Sequence, residues 1–125
     1  METDDPRFID SDGHTKFMLY VIHATKLDAG FVKEICSKAE VDLNAQNKEG
    51  LTAMHLCSLK VNCPRSVWIQ LCRLGADPNL RSVSGQNVLS YYLIFNHEPD
   101  LEVIKCLIMH GAETTGIKLS VLQPF

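Results

Sequence analysis

The side chains best suited to chemistry in this sequence are its five cysteines and five histidines. His55 and Cys57 lie two residues apart, and a cysteine beside a histidine is a common arrangement for an activated thiol nucleophile. Residues two apart on a helix point to different faces, so this spacing argues against a catalytic pair. We predict structural roles for both side chains and no enzymatic activity.

A metal site would require cysteine and histidine ligands in closely spaced pairs that converge. The cysteines are instead spread irregularly, at Cys36, Cys57, Cys63, Cys72 and Cys106. Most of them fall in apolar helical patterns, where a free cysteine behaves as a small hydrophobic residue. Their odd number and their spacing predict free thiols in a reducing compartment, without a bound metal or another cofactor.

Motifs for other chemistries are missing from the sequence, which has no glycine-rich phosphate loop, no Gly-x-Ser-x-Gly elbow and no His-Glu-x-x-His pair. A net charge of -3 and the lack of a Lys/Arg run argue against a nucleic-acid partner. The N-terminus is acidic, and every apolar stretch is interrupted well before the ~20 residues of a membrane span. We expect a soluble, cytoplasmic protein that takes no small-molecule substrate and does not bind a membrane.

The elements that must position these side chains are indicated by two markers with one period. A glycine followed two residues later by Thr or Asn occurs at positions 13, 50 and 85, which are 37 and 35 residues apart. An acidic residue near the end of each unit occurs at positions 42, 77 and 113, which are 35 and 36 residues apart. Because two unrelated markers rarely share a period and a phase by chance, the chain contains an internal repeat.

The repeat resembles a known family. Residues 50–57, Gly-Leu-Thr-Ala-Met-His-Leu-Cys, are similar to the ankyrin signature Gly-x-Thr-Pro-Leu-His-x-Ala, and residues 74–79, Leu-Gly-Ala-Asp-Pro-Asn, resemble its Gly-Ala-Asp-Pro-Asn ending. The resemblance covers 10–115 and implies an all-α ankyrin-repeat solenoid of about three helix-turn-helix repeats joined by β-hairpin-like loops. The implied repeats are about 10–45, 46–80 and 81–115, between an acidic segment at 1–9 and a tail or truncated fourth repeat at 116–125.

The motif residues have separate structural roles. A glycine at each hairpin tip permits the positive φ of a tight turn, and a glycine after an apolar run ends a helix in the left-handed conformation. Thr52 is placed to cap the following helix, with His55 in reach of the same first turn. The motif residues are Gly13, Gly50, Thr52, His55, Gly75, Gly85 and Gly111.

Apolar periodicity predicts two helices in each unit. The predicted helices are 16–24, 30–38, 53–60, 66–73, 88–95 and 101–109. We expect Trp68 to pack between repeats. A consensus ankyrin repeat is about 33 residues long, so the extra length of these units is predicted between the paired helices, at 25–30, 60–66 and 96–100.

Stacked repeats offer a continuous concave face suited to binding another protein. In the family, that face comprises the tips and the exposed side of each first helix, so we predict a non-catalytic protein-binding module. The candidate contacts are Asp10, Ser11, Asp12, Asn47, Lys48, Glu49, Arg81, Ser82, Val83 and Ser84.

A narrower resemblance is carried by the third unit and by the long loops between helices. Residues 90–93, Ser-Tyr-Tyr-Leu, and 103–108, Val-Ile-Lys-Cys-Leu-Ile, before His-Gly-Ala at 110–112, look like poxvirus ankyrin proteins. That resemblance implies a viral factor that binds a host cytosolic protein. The alternative is a truncated remnant of a larger ankyrin and F-box ubiquitin-ligase substrate adaptor, with no activity of its own.

The C-terminal end of the stack is expected to be apolar. Terminal repeats usually need a polar outer face, and Ile104, Ile108 and Leu122 offer little of one. We expect either a fragment of a longer protein or an end that is covered through association at the last repeat.

Overall fold

Six helices make up the regular structure of the residues that the structure describes. The computed structural model describes residues 9–37, 41–60 and 63–114. The helices are α1 Lys16–His23, α2 Ala29–Cys36, α3 Ala53–Ser58, α4 Arg65–Arg73, α5 Val88–Phe95 and α6 Leu101–Met109. Within these ranges there is no strand, only an isolated bridge between Ile9 and Thr15. The all-α prediction is confirmed, and each predicted helix begins within one residue of its observed start.

The helices stack in two layers. The first helix of each pair forms one layer, in which α1 packs on α3 and α3 on α5. The second helices form the other layer, in which α2 packs on α4 and α4 on α6. Across residues 9–37, 41–60 and 63–114, no helix is long and apolar enough to cross a membrane. The acidic segment before Ile9 and the tail at 116–125 lie outside the described residues.

The apolar core joins the repeats. Trp68 is the largest fully buried side chain, and its ring meets that of Tyr92 edge to face at 5.3 Å between centroids. Because Trp68 belongs to α4 and Tyr92 to α5, this contact crosses from one helix pair to the next. The prediction that Trp68 packs between repeats is confirmed.

One polar residue caps the first helix of every pair. Thr15, Thr52 and Asn87 are the N-cap residues of α1, α3 and α5, and each side chain accepts a hydrogen bond from the backbone N–H three residues on. Such a bond satisfies a donor that the helix itself leaves free. The recurring Thr or Asn after each glycine is therefore the start signal of these helices.

His55 completes the cap of α3 and links it to the next repeat. Its Nδ1 accepts from the Thr52 backbone N–H at 3.1 Å, while the Thr52 hydroxyl accepts from the His55 backbone N–H at 3.4 Å. His55 Nε2 lies 3.1 Å from the Gln86 carbonyl oxygen, so the ring is a neutral imidazole with its proton on Nε2. Burial lowers the pKa of His55, and the hydrogen bond to Gln86 opposes that shift.

Three equivalent turns precede α1, α3 and α5, and are called here the first tip (10–13), the second tip (47–50) and the third tip (82–85). Each begins with a residue whose side chain accepts the backbone N–H four positions on: Asp10, Asn47 and Ser82. A backbone hydrogen bond joins each tip to the next, from Lys48 N–H to the Asp12 carbonyl at 3.0 Å and from Val83 N–H to the Glu49 carbonyl at 2.9 Å.

The helix ends also follow the repeat. Gly75 has a φ of 96° and lies just after α4, where its N–H and that of Ala76 bond to the Cys72 and Leu71 carbonyls. This paired arrangement is a Schellman motif, which satisfies carbonyls that the helix leaves free. Gly111 ends α6 in the same way. Both glycines lie directly after the helices that the sequence predicts them to end.

Two asparagine side chains, Asn44 after α2 and Asn79 after α4, connect the end of one repeat to the end of the next. Asn44 accepts from the Asp77 backbone N–H at 2.7 Å and donates to the Gly75 carbonyl at 3.3 Å. Asn79 repeats this pattern with Glu113 and Gly111, both at 2.8 Å. The final Asn of the Gly-Ala-Asp-Pro-Asn ending therefore bonds to the backbone of its neighbour.

The loops inside the second and third helix pairs contact the preceding repeat. Lys60 Nζ donates to the carbonyls of Ile22 and Ala24 at 3.0 and 2.8 Å, at the end of α1. The Asn96 amide donates to the Ser58 carbonyl at 3.1 Å, at the end of α3. These loops lie at two of the places where the extra length of the repeats is predicted.

The last helix differs in part from the expectation of an apolar outer end. Ile104 is only 2% exposed, so the prediction that it contributes to that end is wrong; it packs in the core. Met109 is 82% exposed, and Ile108 is partly so. Leu122 lies outside the described residues.

We expect alanine at Gly50 to be more destabilising than alanine at Gly85. Both glycines have positive φ, and a side chain there costs roughly 1–2 kcal/mol. A Cβ at Gly50 would also lie 2.8 Å from the Val83 backbone nitrogen, whereas none of the described atoms comes within 4 Å of a Cβ at Gly85. Denaturant unfolding should give Gly50→Ala a loss larger by about 1 kcal/mol or more. Equal losses in the two variants would contradict close packing of the second and third tips.

The neutral state of His55 should make stability depend on pH. In the unfolded chain, His55 has its ordinary pKa of about 6.5. In the folded chain its pKa is lower, so protonation is less favourable. The stability from neutral His55 is thus fully present above about pH 6.5 and declines below it, by at most about 1.4 kcal/mol per pH unit. Urea unfolding from pH 7.5 to 5 should show a flatter profile for His55→Gln. His23→Gln, at an exposed histidine, is the matched control, and equal flattening in both would contradict the assignment.

Candidate functional site

His55 and Cys57 do not form a catalytic pair. The nitrogens of His55 are committed to Thr52 and Gln86, and Cys57 is fully buried. The pKa of Cys57 is raised well above its ordinary value. The main cause is the hydrogen bond with the neighbouring Cys63 thiol, and burial is the second. Since the thiolate is the reactive form of cysteine, Cys57 is held in its unreactive state. The geometry agrees with the structural roles predicted for both residues.

Two other cysteines are also held as thiols. Burial raises the pKa of Cys36 to about 11. Burial and the neighbouring Cys106 thiol raise that of Cys72 to about 12. Neither group supplies a thiolate at neutral pH, so cysteine nucleophile chemistry has no support at these positions.

Among the described residues, two groups of side chains bring potential metal ligands together. In the first, the ligand atoms of Cys72, Cys106 and His110 all lie within 4.8 Å of one another. In the second, those of Asp10, Asp12 and His14 do. The spacing argument against a compact ligand set does not hold for the first group, because helix packing brings Cys72 to Cys106 across 34 residues of sequence.

The second group is explained by the first tip itself. Asp10 Oδ1 accepts the backbone N–H groups of Asp12 and His14 at 3.0 and 2.8 Å. Its other oxygen lies 3.2 Å from His14 Nδ1. The hydrogen bond from the His14 backbone is the main cause of the lowered pKa of Asp10. These contacts form the turn, as the equivalent contacts of Asn47 do in the second tip.

The predicted contact residues separate into buried and exposed positions. Asn47 and Ser82 are buried, because their side chains turn inward to close the second and third tips. Asp10 is half-buried for the same reason. The remaining predicted positions have exposed side chains: Ser11, Asp12, Lys48, Glu49, Arg81, Val83 and Ser84. This exposed group is the part of the predicted surface that is most accessible to a partner.

Arg81 supports the third tip while remaining exposed. Its guanidinium donates to the Gly85 carbonyl at 2.7 Å and to a Glu113 carboxylate oxygen at 3.0 Å. Both side chains of the ion pair are about half exposed, so it contributes at most modestly to stability. Its geometric effect is to hold the guanidinium beside the tip.

An aromatic patch extends the exposed surface from the tips onto α5. Tyr91, Ile94 and Phe95 share one face of this helix by their spacing, and Ile94 and Phe95 are 55% and 51% exposed. The Tyr91 ring lies between those of His55 and Phe95, at 5.2 and 4.7 Å. These three residues of α5 are called here the α5 patch.

The carboxylate of Glu49 in the second tip acts electrostatically on Tyr91 of the α5 patch. Burial raises the pKa of Tyr91, and the Glu49 carboxylate adds to that shift, so the second tip is electrostatically close to α5. Val83 of the third tip, 76% exposed, adds another apolar side chain just before that helix. The family expectation included the exposed side of each first helix; the sequence alone did not indicate which of these helices would expose aromatic residues.

Comparison with known proteins supports this architecture. No protein-family model matches the chain. The mouse B-cell lymphoma 3 protein homolog is 30% identical over 112 residues, which cover 89% of this chain but 24% of that protein. The chain therefore spans about a quarter of the length of this curated relative.

A solved structure gives the same result in three dimensions. The crystal structure of an ankyrin repeat domain from Acinetobacter baumannii AYE superposes with a TM-score of 0.71, at 22% sequence identity. The match covers 87% of this chain and 54% of that one. Six helices stacked in pairs, capped with the repeat period and joined tip to tip, give this chain the ankyrin-repeat fold.

Proposed function

We propose that the chain is a non-catalytic protein-binding module whose contact surface combines the exposed residues of the second and third tips with the α5 patch. The observation that carries the proposal is the exposure of large apolar side chains, Val83, Ile94 and Phe95, on one repeat of an ankyrin fold. Exposed apolar groups rimmed by polar residues are typical of protein interaction sites.

The charges beside these apolar groups suit a protein partner of mixed character. Lys48 and Glu49 are exposed on the second tip and Arg81 is exposed directly before the third tip, so both signs of charge are represented. Aromatic and arginine side chains are the types that contribute most often to binding hot spots. A partner with an apolar anchor between charged groups would complement this surface.

The non-catalytic part of the proposal is supported by the state of the candidate nucleophiles. The pKa values of Cys36, Cys57 and Cys72 are all raised, so their thiols are protonated at neutral pH. His55, the histidine nearest to Cys57 in sequence, is fully buried and spends both ring nitrogens on structural hydrogen bonds.

We further propose that the partner is a host cytosolic protein and that the chain acts in the host cytoplasm. This step is supported by the resemblance of residues 90–93 and 103–108 to poxvirus ankyrin proteins. The alternative, a remnant of a larger ubiquitin-ligase substrate adaptor, predicts a chain, folded or not, without a specific partner.

Affinity capture from eukaryotic cytosol at physiological salt tests the proposed surface. The double variant Ile94→Ser, Phe95→Ser should lose the proteins that the unmodified chain retains, with affinity reduced about tenfold or more. Met109→Ser removes a still more exposed apolar side chain from α6 and is the matched control; it should retain them.

Thermal melts of all three proteins establish that folding is preserved, since exposed substitutions usually change stability by less than about 0.5 kcal/mol. Capture that is identical for the three proteins would contradict the α5 patch as the binding surface. Capture of no specific protein by the unmodified chain would favour the remnant.

A further inference from the structure

Three potential metal ligands converge where α4 and α6 end. Cys72 is the next-to-last residue of α4, Cys106 lies in the last turn of α6, and His110 is its C-cap. Their sulfur and nitrogen atoms lie within 4.8 Å of one another, and Cys106 Sγ is 3.9 Å from His110 Nδ1. These residues are called here the Cys-Cys-His cluster.

The fold places each member of the cluster for a definite reason. Cys106 and His110 are four residues apart, which puts them on one face of α6 and one turn from each other. Cys72 approaches from the neighbouring repeat because α4 packs directly on α6. Cys72 is buried, Cys106 is half-buried and His110 is exposed, so the cluster runs from the core to the surface.

We propose that the Cys-Cys-His cluster binds a thiolate-seeking divalent ion of the Zn²⁺ class, with two cysteine sulfurs and one imidazole nitrogen as ligands. Two sulfurs and one nitrogen are a donor set that favours Zn²⁺ over Mg²⁺ or Ca²⁺. In a tetrahedral site with Zn–S near 2.3 Å and Zn–N near 2.0 Å, neighbouring ligand atoms stand about 3.5–3.8 Å apart. The separations in the cluster need only small side-chain rotations to reach that range.

His110 is suited to join the site. Its Nδ1 lies 2.9 Å from the Cys106 carbonyl oxygen, in a hydrogen bond local to the helix end. Binding at Nδ1 exchanges that bond for the metal bond, and the exposed ring has room to turn. With three protein ligands, the fourth coordination position is left to solvent, as in zinc sites that keep an open position.

Loading the site releases protons and changes no oxidation state. The ion binds as M²⁺ while the two cysteine thiols release their protons to solvent. The neutral imidazole contributes a lone pair without losing a proton.

The bound ion would join the second repeat to the third. Only the native stack brings Cys72 to Cys106 and His110, so binding should stabilise the folded chain by mass action. This consequence is separate from the proposed protein-binding surface, which lies on the tips and α5.

Cobalt(II) is the probe, because its thiolate complexes give a sulfur-to-metal charge-transfer absorption that zinc complexes lack. Titrating Co²⁺ into the reduced, metal-free chain should produce this absorption with one ion bound, and added Zn²⁺ should remove it. Saturating Zn²⁺ should raise Tm by about 5 °C or more. His110→Asn and Cys106→Ser should each weaken Co²⁺ binding at least about tenfold.

Cys36→Ser and Cys63→Ser are the matched controls, since both remove a half-buried cysteine outside the cluster; they should bind Co²⁺ as the unmodified chain does. Circular dichroism establishes that each variant is folded before titration. No charge-transfer absorption in the reduced, folded chain would overturn the proposal, as would absorption that survives Cys106→Ser. A chain that forms a Cys72–Cys106 disulfide but binds no Co²⁺ when reduced would overturn it too.

Discussion

The structure depends on the close approach of successive tips. The backbone of one tip bonds directly to the backbone of the next, from Lys48 to Asp12 and from Val83 to Glu49. The short separation between the backbones of successive tips sets the spacing at which α1, α3 and α5 stack. The same spacing permits the hydrogen bond from His55 to Gln86. A single helix pair would leave its apolar faces in water, so the burial of Trp68 depends on the same spacing.

Local features of the fold were predictable from the sequence because each is decided within a few residues. Thr52 and His55 cap α3 by contacts three residues apart, and Gly75 ends α4 by contacts within one turn. The inward rotation of Asn47 and Ser82 was not predictable from their place in a polar turn. Their side chains serve the turn itself and leave the exposed surface to their neighbours.

The specific partners that a residue contacts in a neighbouring repeat could not be predicted from the sequence of its own repeat. Asn44 bonds to residues more than 30 positions away, and nothing within its own repeat indicates those partners. Convergence of Cys72, Cys106 and His110 likewise depends on how α4 packs against α6. The α5 patch could be predicted in part. Helical spacing places its residues on one face, but the packing of neighbouring repeats determines which of them are exposed.

In several hydrogen bonds between repeats, one partner is a side chain and the other is a main-chain atom. Asn44, His55 and Asn79 reach forward to the next repeat, and Lys60 and Asn96 reach back, yet each of these side chains bonds to main-chain atoms of the neighbour. Every amino acid carries a backbone carbonyl, so for these contacts the neighbour needs only the right backbone path. The ion pair of Arg65 with Asp100 differs, because it requires a specific side chain in both repeats. A repeat whose side chains differ from the consensus can therefore still form these main-chain contacts, as long as its backbone follows the same path.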